Sequence, residues 1–133
     1  MIVKIIYEPV YRFDLIFIAG CTIEQANKVL LKKYQMEPLP KYTNCSGITF
    51  SASETDYPKS VKGISYGIWI GDEKDFYCLL HEVCHLVVRV LEEKGMSISE
   101  NLTEPFAYYM EFWFRTLWRV MSSKKKKRGD KKV

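Results

Sequence analysis

The 133 residues are 47% hydrophobic and 14% aromatic, which excludes an intrinsically disordered chain and bounds the protein to one compact core of ordinary domain size. The formal net charge of +4 comes from one end: residues 122–133 hold seven Lys or Arg against one Asp, a local +6, so residues 1–121 sum to −2. No segment holds the roughly 18 uninterrupted apolar residues of a membrane span, and the four cysteines lack the CxxC pairing of a zinc ribbon and the density of a secreted disulfide scaffold.

In chain order, residues 2–7 and 12–19 are rich in β-branched and aromatic types on either side of a Glu8-Pro9 break, and predict a pair of strands. Ile18-Ala19-Gly20-Cys21 has the look of a lipoprotein cleavage box. Glu8, Pro9, Arg12 and Asp14 precede it, however, and only about six apolar residues stand directly before the cysteine, too few for a signal core. The expectation is a soluble, cytoplasmic protein with no membrane contact. Thr22-Ile23-Glu24-Gln25 has the form of a capping box, and Ile23, Ala26, Val29, Leu30 and Tyr34 follow at helical spacing, so a helix is predicted over 23–34. Pro38 and Pro40 open a loop, 47–53 and 65–70 read as two further strands, and Pro58 marks a turn between them.

A long helix is predicted from about Glu73 to Lys94, stopped by Gly95, and a second from about Thr103 to Met121, with Pro105 tolerable in its first turn. Lys124-Lys125-Lys126-Lys127-Arg128 cannot bury apolar surface. Residues 1–121 are therefore expected to form a single domain and 122–133 a disordered basic tail, with weak nucleic-acid contact as its possible role.

The chemistry sits on the first long helix, where His81-Glu82-Val83-Cys84-His85 spells HExxH. Residues four apart on a helix share a face, so both imidazoles can bind one ion, and Glu82 stands one step round as a general base for a metal-activated water. The surrounding Phe76, Leu79, Leu80, Val83, Leu86, Val87, Val88, Val90 and Leu91 suggest a helix buried nearly all round, in which imidazoles and a carboxylate need satisfaction that a metal would provide. The alternative is a pair of core histidines with backbone partners and a Glu82 paired with Arg89 or Lys74. The ion expected is Zn2+, with three protein ligands and one open position.

No third histidine exists, so the remaining ligand is a carboxylate or thiolate. Glu104 opens the next helix 19 residues after His85, enough for the chain to turn back alongside; Glu100, Glu111 and Cys84 are the other candidates. Glu92 lies on the His85 face about two turns on, roughly 10 Å away, out of reach of the same ion. Against Glu104 stands its stripe with Tyr108, Glu111, Arg115 and Arg119, which also reads as a solvated face with a Glu111–Arg115 ion pair. A further oxyanion donor is expected from Tyr108, Tyr109 or Arg115. The strand before the motif, 65–70, would bind an extended peptide if it lay at the sheet edge, and would be purely structural if interior.

Residues 64–120 resemble the small zincin-type proteins of phage and prophage genomes, related in arrangement to the ImmA/IrrE metallopeptidases. The resemblance rests on strand 66–70, on Leu79-Leu80-His81-Glu82-Val83-Cys84-His85-Leu86 and on Thr103-Glu104-Pro105-Phe106-Ala107-Tyr108. It implies His81, His85 and Glu104 as zinc ligands, Glu82 as base and a peptide or protein substrate. It also implies an α+β minimal zincin-like fold, a small and mostly antiparallel sheet packed on the HExxH helix and a second, C-terminal helix. Pro105 stands where that family often has Ala. The motif resembles that of SprT-like proteases as well, and the basic tail supports the comparison, but those enzymes use a third histidine. A non-catalytic zinc-binding interaction protein is the alternative from another class.

Overall fold

The computed structural model describes residues 1–41, 45–52, 64–96 and 103–130, with side chains as far as Ser123. The expected turn at Pro58 and the candidate ligand Glu100 lie outside the described residues. The fold is α+β, with strands β1 (Ile2–Glu8), β2 (Phe13–Ala19), β3 (Gly47–Ser51) and β4 (Ile64–Ile70) and helices α1 (Ile23–Tyr34), α2 (Phe76–Glu93) and α3 (Thr103–Asp130). It divides into two compact units, Met1–Glu73 and Lys74–Val133.

The first unit holds a four-stranded sheet of order β1-β2-β4-β3. β1 and β3 pair antiparallel with their neighbours, and β2 and β4 run parallel at the centre. The β1–β2 turn is tied by Glu8, whose fully buried carboxylate accepts hydrogen bonds from the backbone N–H groups of Val10 and Tyr11. A buried carboxylate is costly unless it is paired in this way.

α1 begins as its sequence predicts. The Thr22 side chain accepts from the N–H of Gln25, and the Gln25 side chain accepts from the N–H of Thr22, which satisfies two orphan donors at once. Ala26 and Leu30 of this helix join Ile16, Ile18, Met36, Leu39 and Trp69 in the core of the unit. The proline-flanked segment after α1 is pinned by Asn27, which donates to the carbonyl of Leu39 at 3.1 Å and accepts from its N–H at 2.6 Å. Burial in this core pushes the Cys21 thiol pKa up.

β4 lies inside the sheet between β2 and β3, so of the two roles open to strand 65–70 the structural one holds. An interior strand has no free backbone edge to offer a peptide. Gly67 faces the ring of Phe50 on β3, where a Cβ would stand 2.1 Å from the ring; the glycine is what lets the aromatic approach the central strand so closely.

In the second unit, Asp75 caps α2 by accepting from the N–H of Cys78 at 2.9 Å. α2 ends with Gly95 at φ +79°, its N–H on the carbonyl of Glu92 and the N–H of Met96 on that of Leu91. This is the Schellman closure that a glycine in the left-handed region permits. α3 packs on α2 and buries Tyr109, Trp113, Leu117 and Met121. Its helical backbone continues to Asp130, well past Met121 where the sequence reading ended it. Among the described residues no helix is long and apolar enough to cross a membrane.

Candidate metal centre

α2 buries Leu79, Glu82, Val83, Leu86, Val87, Val90 and Leu91, and this leaves the stripe through His81 and His85 facing solvent. The two rings turn toward each other, with Nε2 atoms 3.1 Å apart, centroids 4.7 Å apart and planes at 78°. Both histidines are exposed. The sequence-based expectation of imidazoles buried in an apolar helix is therefore corrected, and the alternative of core histidines goes with it: the stripe of apolar residues does not close around α2, since Tyr77 and Leu80 are also exposed, at 88% and 42%.

What leaves room for a cation is the approach of the rings rather than their burial. Two ring nitrogens at 3.1 Å oppose their lone pairs unless one carries a proton directed at the other, or both direct their lone pairs at one positive ion. Zinc–imidazole bonds of about 2.0–2.1 Å spanning that gap meet at about 100°, close to the tetrahedral value of about 109°. The two residues fit a divalent ion at two of its positions. Glu82, the next residue round the helix, is 6% exposed and belongs to the buried side of α2.

The other expected site residues are placed differently. Among the described residues no group of three or more His, Cys, Asp or Glu side chains is arranged to hold a metal, so neither Glu104, Glu111 nor Cys84 is gathered with the imidazoles. Helix packing gives the reason for Glu104. Phe76, the first residue of α2, meets Trp118 far along α3, with ring centroids 5.8 Å apart, so the two helices run antiparallel. Glu104 lies nine residues from buried Trp113, half a turn round α3, and is exposed.

Glu111 is engaged with Arg115 in an ion pair, as the solvated-face alternative predicts. Tyr108, expected to stabilise an oxyanion, is 68% exposed and lines a shallow groove with Glu111, Phe112, Arg115, Thr116 and Arg119, which does not include the histidines. Tyr109 is buried. The sequence reading overlooked Tyr77. Its spacing, four residues before His81, was the available signal. No family model, curated protein or solved structure matches the chain.

Proposed function

We propose that this chain is a zinc-dependent peptidase in which His81 and His85 hold the ion and Glu82 is the general base. The observation that carries this reading is the 3.1 Å approach of the two Nε2 atoms beside a carboxylate one residue along the same helix. When bound, zinc would supply Lewis acidity toward a peptide carbonyl and a water molecule. Glu82 is the residue that would accept a proton from the attacking water and return it to the leaving amine, a task suited to a carboxylate held by the helix and screened from bulk solvent. Glu104, which is not gathered with the pair, is the third ligand in this reading only by closing on the ion when metal binds, and the substrate is a peptide or protein.

Glu82→Gln should retain zinc and lose about 100- to 10,000-fold in peptide hydrolysis, measured on a quenched-fluorescence peptide library with metal content read in parallel. Wild-type turnover by that variant would overturn the assignment of the base. Glu104→Ala should weaken zinc binding about tenfold or more; unchanged affinity would remove Glu104 from the ligand set. A second reading, a zinc-binding interaction protein without turnover, is favoured by the exposed Tyr77 and Leu80 next to the pair.

A further inference from the structure

Zinc bound by protein side chains is nearly always four-coordinate. The described part of one chain offers two converging donors and no third. Both donors stand on the exposed stripe of α2, so a second molecule can reach the same ion.

We propose that a second copy of this chain supplies the other two ligands, so that His81 and His85 of two molecules close a four-imidazole zinc site across a two-fold axis between their α2 helices. Each ring is neutral, with its proton on Nδ1 and its Nε2 lone pair on the ion. The inference rests on the zinc-binding part of the proposed function and not on peptide hydrolysis. It makes the bridged dimer a latent form in which every position on the metal is filled by protein.

The surface around the pair suits a copy of itself. Tyr77 and Leu80 are large apolar side chains at 88% and 42% exposure, and each two-fold contact covers them twice. Position 83 is the midpoint of the pair, and the exposed residues Lys74 and Glu92 lie nine positions before and nine after it. Lys74 stands just before the Asp75 cap and Glu92 in the last turn of α2, so two antiparallel α2 helices bring the basic end of one toward the acidic end of the other, a charge complementarity that favours this orientation. A single helix stripe is far smaller than the interface of a metal-independent dimer, so the association is tied to the ion.

The test is the mass and zinc content of full-length protein, purified without a histidine tag, stripped with chelator and titrated with zinc. The expected result is a doubling of mass from 15.6 kDa that is complete at half an equivalent of zinc per chain and reversed by chelator. Excess zinc should return it to monomer, because each chain then takes its own ion. His81→Ala and His85→Ala, both at exposed positions, should each stay monomeric at half an equivalent while keeping the wild-type circular dichroism spectrum. A monomer binding one zinc per chain throughout the titration would overturn the dimer and leave the peptidase reading standing. A dimer that forms without zinc or persists in both alanine variants would overturn it as well, and an absence of zinc binding would overturn both.

Discussion

The second unit carries two side-chain pairs with the same helical spacing, His81–His85 on α2 and Glu111–Arg115 on α3. Both are exposed, and both close because residues four apart on a helix stand one above the other. They differ in what closing them does. The carboxylate and guanidinium neutralise each other, and nothing further is needed. Two imidazoles have a choice: with one Nε2 protonated they close on each other by a neutral hydrogen bond, and with both protons on Nδ1 both Nε2 lone pairs are left for a cation. Spacing brings residues together, and whether the pair can act on something else depends on whether its members already satisfy each other.

The largest effect that sharpens this comparison is on the scaffold beneath both pairs. Trp113 is fully buried and makes edge contacts with the rings of Tyr109 and Phe112. Trp113→Ala should cost about 3–5 kcal/mol of unfolding free energy, measured by urea denaturation. His81→Ala, at an exposed position, should change stability by less than about 0.5 kcal/mol while removing zinc binding. A comparable loss in both variants would show that the histidine is part of the packing and would merge the two regions into one.

Of intermediate size is a transplant. Glu111→His combined with Arg115→His places a second imidazole pair on the exposed stripe of α3, and should add one equivalent of zinc if helical spacing and exposure are sufficient. No added zinc would mean that the ring orientation on α2, with planes at 78°, depends on its immediate neighbours. The single ion pair lost in making the variant should be a minor part of the outcome.

These expectations follow the division between what was legible in the sequence and what was not. The α1 start was legible because the capping box is four consecutive residues and its bonds close locally. The end of α2 was legible because Gly95 alone fits the left-handed position there. The histidine pair was legible for the same reason of locality. The position of β4 was open, since periodicity does not say which strand lies alongside, although the burial of Tyr66, Ile68, Trp69 and Ile70 on both faces is the pattern of a central strand. The reach of Glu104 was not legible. It depends on the register of α3 against α2, which is set by contacts such as Phe76 with Trp118 between residues 42 positions apart. The exposure of the histidines was missed because Leu80 and Val88 were counted with the core on composition and Tyr77 was overlooked, while helix packing buries only one side.

The smallest effect belongs to Glu111 itself. Its side chain and that of Arg115 are 56% and 57% exposed, so their attraction acts largely through water and is opposed by the entropy of holding two long side chains. Glu111→Gln should therefore cost about 0.3–0.5 kcal/mol at low ionic strength. The difference should vanish near 1 M salt, where the screening length falls to about 3 Å. Zinc binding should be untouched, because the pair on α2 shares no atom with the pair on α3. Thermal melts of both proteins across a salt series read this directly. A cost above about 1 kcal/mol that survives high salt would mean that Glu111 holds something besides Arg115. The claim that this pair is self-sufficient would then fall, and with it the contrast drawn with the histidines.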